Sequence, residues 1–170
     1  MTKIIFIAGA PGSGKTTISN KLKIKLEDCP LIDFGWIREF HLNKLWSNIS
    51  DKEEQMSFEN LVFILKNYIK NEYAYVIVND LEDKRILKIP QIFDQKNYLI
   101  FSLVLNDDNE LSHRILDESR DSGFRNVKKA LLWNKKLIER DTVINEFKID
   151  NSSENPEDTL KIILDKISRN

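Results

Sequence analysis

Cysteine is almost missing from this 170-residue chain: Cys29 stands alone. A disulfide within the chain is therefore excluded, and a thiolate metal site has too few ligands. Cys29 itself reads as a small buried hydrophobe. Histidine is nearly as scarce, and His41 and His113 lie far apart, so no zinc site is expected. Four prolines and five glycines are present, with no Pro- or Ser-rich linker, low-complexity block or internal repeat. Long hydrophobic runs are also missing. The apolar stretch after Met1-Thr2-Lys3 is short and interrupted by glycines, which fits neither a membrane span nor a signal peptide. A cytoplasmic protein without a membrane partner is expected. Charge of one sign is lacking too. The formal net charge of -1 gives no overall field for holding nucleic acid or an anionic surface.

What is present reads as one globular domain over residues 1–170, with 41% hydrophobic and 31% charged residues. Ile4–Ala8 is a continuous apolar run of the kind a strand buried on both faces needs. After it Ile18, Leu22 and Leu26 recur at helical spacing. Leu31-Ile32 predicts a short second strand ending at Asp33, followed by a helical stretch with Ile37, Phe40, Leu45 and Trp46. Phe58, Leu61, Val62, Leu65, Tyr68 and Ile69 form another helical stripe. Tyr75–Val78, Leu99–Leu105 and Phe147–Ile149 predict three further strands, while Ile86–Phe93 is ambiguous because Pro90 interrupts it. Leu111, Ile115 and Leu116 mark one helix, and Val127, Leu131 and Leu137 a longer one. Asn155-Pro156 reads as a cap with proline at the first position of a last helix. Strands alternating with helices predict an α/β fold with a parallel sheet covered on both faces. Ligands in such sheets bind beyond the carboxyl ends of the strands. The residues to inspect are therefore Gly9–Thr16, Asp33, Asn79-Asp80, Asn106-Asp107 and Asp150.

Three of the five glycines, Gly9, Gly12 and Gly14, fall in one segment. Gly9-Ala10-Pro11-Gly12-Ser13-Gly14-Lys15-Thr16 satisfies G-x-x-x-x-G-K-S/T, with a strand before it and a helix after it. Glycines let successive N–H groups turn inward toward phosphate oxygens, and the helix N-terminus adds positive potential. Lys15 is expected to reach the β- and γ-phosphates of ATP, the Thr16 hydroxyl to bind Mg²⁺, and Thr17 to complete the binding segment.

A phosphate loop alone does not name a reaction. A GTPase would carry D-x-x-G after the third strand, where Asn79-Asp80-Leu81-Glu82 stands. Asn134-Lys135-Lys136-Leu137 begins a guanine motif but lacks its aspartate. No ABC-type signature is present, and the chain is short for a hexameric motor. On Gly9–Thr16, Leu31–Arg38, Val76–Asp80 and Arg114–Arg125 the sequence resembles the small P-loop kinases. That group includes adenylate, shikimate and gluconate kinases, the kinase domain of polynucleotide kinase, and chloramphenicol phosphotransferase.

The resemblance implies a three-layer sandwich on a five-stranded parallel sheet in the order 2-3-1-4-5, with a lid at about 109–126. It implies transfer of the γ-phosphate of ATP, with Mg²⁺, to a small-molecule hydroxyl or a nucleotide. Nucleic acid enters only as a 5′-hydroxyl acceptor. Lys15, Asp33, Arg120 and Arg125 become candidate catalytic residues. Asp33 would be the base for a hydroxyl acceptor; the alternative reading from the residues alone is a helix cap. Gly35-Trp36-Ile37-Arg38 resembles the segment that grips an acceptor phosphate, with Trp36 in place of an aspartate; alone, Arg38 reads as a helix-surface charge. Asp80, or Asn79 before it, is matched to the magnesium-holding acid. Arg114 is matched to nucleotide binding, and Asp150-Asn151 to the border of the adenine. Trp36, Phe40, His41, Trp46 and Phe58 are candidates for lining an acceptor pocket or for plain core. A non-catalytic ATP-binding regulatory protein is the alternative function.

Overall fold

The computed structural model describes residues 2–27, 29–40, 50–119, 122–153 and 155–170. They form a parallel sheet of five strands in the order β2-β3-β1-β4-β5. The strands are β1 (Lys3–Gly9), β2 (Leu31–Asp33), β3 (Tyr75–Asn79), β4 (Tyr98–Val104) and β5 (Glu146–Asp150). Both the fold class and the order expected from the resemblance are found. Each predicted strand is present, displaced by at most a residue or two at its ends, which is ordinary for pattern reading.

β1 explains the central apolar run. Ile4, Phe6 and Ala8 enter one core and Ile5 and Ile7 the other, because successive side chains leave a strand on opposite faces. The first core is closed by α2 (Phe34–Glu39), α3 (Asp51–Lys70), α4 (Asp83–Ile86) and α5 (Ile89–Ile92), through Phe34, Ile37, Phe58, Leu61, Leu65, Ile86 and Ile89. The second is closed by α1 (Lys15–Lys25) and α8 (Pro156–Ser168), through Ile18, Leu22, Leu160, Ile163 and Ile167. Cys29 is buried in this second core, as the sequence suggested. A third, smaller cluster of Leu105, Leu111, Ile115 and Ala130 holds α6 (Asp108–Leu116) against α7 (Val127–Glu139).

Local chemistry sets the helix starts. Ser50 and Glu53 form a reciprocal capping box that fixes the start of α3. The Asn155 side chain accepts from Glu157 N at 3.1 Å, and Pro156 opens α8 as predicted. The ambiguous segment resolves into α4 and α5, with Pro90 in the first turn of α5, where its missing N–H costs nothing. Asn134, the first residue of the incomplete guanine motif, is buried as a clamp on the end of β4. It accepts from Leu105 N at 3.0 Å and donates to Leu105 O at 2.7 Å. Phe58 is a core residue, 3% exposed, whose position in the α3 stripe packs it into the first core, and its edge borders a shallow hollow with Gln55, Val62 and Ile92. His41, Leu45 and Trp46 lie outside the described residues, as does Arg120.

Candidate active site

β1 lies between β3 and β4, whereas the chain leaving β1 runs on to β2. The sequence order of the strands therefore reverses here, and a crevice opens at the carboxyl end of β1. Residues 9–16 occupy that crevice. The chain turns back on a Ser13 N to Ala10 O bond of 3.1 Å. Gly9 has φ 148, and a Cβ there would lie 2.4 Å from Ser13 Oγ and 2.6 Å from Leu103 O, so no side chain fits. Gly14 caps α1 in the left-handed region, without a side-chain hydrogen bond to the first turn. The N–H groups that open α1 are thus left for an external acceptor, and no acidic side chain in that turn competes for them.

Lys15 lies back across the loop. Its Nζ donates to Gly9 O at 3.1 Å and Ala10 O at 3.2 Å, and it pairs with Asp80 Oδ1 at 3.4 Å. Thr16 and Thr17 are exposed on the first turn of α1.

Asp33 ends β2 and caps α2: its Oδ1 accepts from Gly35 N at 2.8 Å. Its Oδ2 accepts from Asn79 Nδ2 at 3.1 Å. Burial, and next the negative charge of Asp80, push the Asp33 carboxyl above the ordinary 3.8. The Gly35 N–H, the Asn79 amide and the Lys15 ammonium pull the other way without prevailing. The carboxylate that caps α2 is therefore also the one that bonds Asn79.

Asn79 and Asp80 are adjacent, and in a regular strand their side chains would leave on opposite faces. Asp80 has φ 60, in the left-handed region that aspartate tolerates better than most residues. The strand ends at this joint. Asn79 reaches Asp33 while Asp80 reaches Lys15, so both neighbours serve one site. Asn79 Oδ1 is buried and has no hydrogen-bond partner among the described residues. Asp80, whose carboxylate is half exposed beside Lys15, is the acid presented to the loop. One carboxylate and the Thr16 hydroxyl are a fitting donor set for Mg²⁺, which keeps several waters and takes its other ligands from phosphates.

The remaining candidates fall into two groups. Arg38 pairs with the buried Glu54 of α3 and lies 6.0 Å from the centre of the Phe34 ring. It is a linking residue between α2 and α3 rather than an exposed helix charge. Arg85, which the sequence reading passed over, is buried nearby on α4: it donates to Gln55, and its guanidinium sits 4.9 Å over the Phe58 ring. Trp36 and Phe40 are 61% and 78% exposed, so the described structure does not place them in an enclosed pocket.

Arg114 on α6 reaches the chain after β5. It bonds Glu110 Oε1 at 2.5 Å, Ser153 O at 3.1 Å and Ser152 O at 3.4 Å. Arg125 is not brought to the loop; it donates to the carbonyls of Ser122 and Phe124 in its own turn. Asp150 accepts from Asn106 and Ser152, tying the ends of β4 and β5 together. Asn151 is buried against Ser13 instead of lying open beside the loop.

No protein-family model matches the chain, and no curated protein matches it by sequence. Solved structures do match along its length. A gluconokinase from Sinorhizobium meliloti 1021 superposes with a TM-score of 0.71 at 13% identity, covering 98% of this chain and 92% of that one. The Deinococcus radiodurans tunicamycin resistance protein gives 0.71 at 16% identity, covering 98% and 96%. Thymidylate kinase from Candida albicans gives 0.65 at 17% identity, covering 99% and 92%. At such identities it is the architecture that is shared, and the chain has the fold of the small P-loop kinases.

Proposed function

We propose that this protein is an ATP-dependent phosphotransferase that moves the γ-phosphate of ATP to a hydroxyl acceptor. The observation that carries this reading is the position of Asp33. Its carboxylate is partly buried at the carboxyl edge of the sheet, hydrogen-bonded by Asn79 and close enough to Asp80 and Lys15 for both charges to act on it. A purely structural cap has no need of that company. The structural neighbours are kinases of different acceptors, which supports kinase chemistry in general without choosing an acceptor.

In this reading the N–H groups of residues 9–16 hold the phosphates, and Lys15 turns from Asp80 and the loop carbonyls to the β- and γ-phosphates. Thr16 and Asp80 hold Mg²⁺, which supplies positive charge to the phosphate oxygens. Arg114 and the chain after β5 border the base. Asp33 orients the acceptor hydroxyl and takes its proton as the oxygen attacks the γ-phosphorus; the bond to the β-phosphate oxygen breaks and ADP leaves. A raised carboxyl suits this task, since it is a stronger base than an ordinary aspartate. Arg125 joins on closure of its segment, giving up its bonds to Ser122 and Phe124.

Release of ADP from ATP and Mg²⁺ tests the reading, with nucleosides, sugars, polyol acids, aminoglycosides, 5′-hydroxyl oligonucleotides and nucleoside monophosphates added in turn. Stimulation by one hydroxyl-bearing pool is the expected result. ATP binding without stimulation by any pool would favour a regulatory ATP-binding protein. Stimulation by nucleoside monophosphates alone would shift the emphasis from Asp33 to Arg38, because an ionised phosphate needs no base.

A further inference from the structure

The first residue after β5 is tied to the middle of the phosphate loop. Asn151 is 4% exposed, and its Nδ2 donates to the Ser13 carbonyl at 2.8 Å. Its Oδ1 accepts from the Thr159 hydroxyl of α8 at 2.6 Å, and its backbone N–H donates to Val104 O at 2.8 Å. The side chain is therefore gripped at both ends, and Thr159, 2% exposed, decides which end of the amide faces the loop. A Cβ on Gly14 would lie 2.5 Å from Asn151 Nδ2, so the amide occupies the space that a side chain at position 14 would need.

The peptide joining Ser13 to Gly14 is planar and trans, so its N–H points opposite to its carbonyl. Holding the Ser13 carbonyl against Asn151 turns the Gly14 N–H away from Asn151. In a loop whose N–H groups cradle phosphate, that is the setting that offers this donor to the ligand. We infer that Asn151, oriented by Thr159, is a positioning residue that fixes the Ser13–Gly14 peptide for phosphate binding. This rests on the reading of residues 9–16 as a nucleotide site. It gives Asn151 a role at the phosphates, distinct from the adenine border expected by resemblance.

The test is calorimetric binding of ADP and of inorganic tripolyphosphate, well below the melting temperature. It uses wild type, Asn151→Ala, Thr159→Val and the double variant. Losing the fixed donor is expected to weaken both ligands about tenfold in Asn151→Ala, and about threefold in Thr159→Val. The double variant should be no weaker than Asn151→Ala alone, since Thr159 acts through Asn151. Thr159→Val nearly preserves size and carries the test if Asn151→Ala does not fold. Unchanged affinity for both ligands in the variants overturns the inference while leaving the nucleotide site standing. So does a loss for ADP alone, which would place Asn151 at the base. Wild type binding neither ligand would overturn the nucleotide site and the inference with it.

Discussion

Asp33→Asn separates the cap that Asp33 forms from the catalytic base proposed for it. Asparagine caps helices as well as aspartate does, and its Oδ1 can keep the 2.8 Å bond from Gly35 N. The new Nδ2 would face the Asn79 Nδ2 that now donates to Asp33, but Asn79 can turn its amide over. Its Oδ1 has no hydrogen-bond partner to lose among the described residues, so a flip restores the pair. The variant also removes a buried charge beside Asp80. The sign follows from the raised carboxyl: that charge is a cost to the fold which appears as pH rises through the folded value and is absent below the unfolded one. Asp33→Asn should therefore keep or slightly raise the melting temperature near neutral pH, with the difference shrinking toward acid pH.

Catalysis should behave otherwise. General-base catalysis is worth about 10²–10⁴-fold, so kcat with a hydroxyl acceptor should fall by that factor, and ATP affinity should change little. The acid limb of the wild-type pH–rate profile should lie above the ordinary aspartate range and vanish in the variant. Asp33→Ala should lose the cap as well. That costs about 0.5–2 kcal/mol, or some degrees of melting temperature in a domain of this size. Steady-state kinetics with an identified acceptor, together with thermal denaturation, provide the assay. Full kcat in Asp33→Asn would refute the base and leave Asp33 a cap.

Lys15→Ala should abolish ATP turnover while leaving the fold intact, since its partners are two loop carbonyls and a half-exposed carboxylate; undiminished turnover would remove the phosphate-loop assignment. Asp80→Asn, which suits the left-handed backbone at position 80, should move the Asp33 titration downward in carbon-13 NMR of the nucleotide-free protein; an unmoved titration would contradict the convergence of the two carboxylates. Arg140→Ala should destabilise by about 3–5 kcal/mol in chemical denaturation, because it strands Glu146, whose side chain is fully buried, and Asp83. Glu146 is held below the ordinary 4.5: burial works upward but yields to bonds from Arg140, Ser102 and the Val143 N–H. Its stabilisation is therefore complete above the unfolded value and is lost as pH falls through the folded one, so Glu146→Gln should flatten that part of the acid denaturation curve.

The fold was legible because its signals are local and repeated. An apolar run such as Ile4–Ala8 admits few structures once a glycine loop and a helical stripe follow it, and the same alternation recurs along the chain. The glycine loop after β1 was legible because its glycines answer a backbone requirement that few other residues meet. The rest of the site depends on pairings across long stretches of sequence, and no periodicity marks those. Asp33 and Asn79 are 46 residues apart, Ser13 and Asn151 are 138 apart, and each pair meets only because the parallel sheet gathers the carboxyl ends of its strands along one edge. The rule that ligands gather at those ends did direct attention to Asn79 and Asp80. It could not say that one left-handed residue lets both serve the same site, because alternation along a strand predicts the opposite. Nor could it separate Arg38 as a surface charge from Arg38 as the partner of Glu54, a contact set by how α3 returns across α2. In this crevice, then, sequence spacing picks out the glycine loop, and tertiary pairing decides which polar neighbours hold that loop and the candidate base in place.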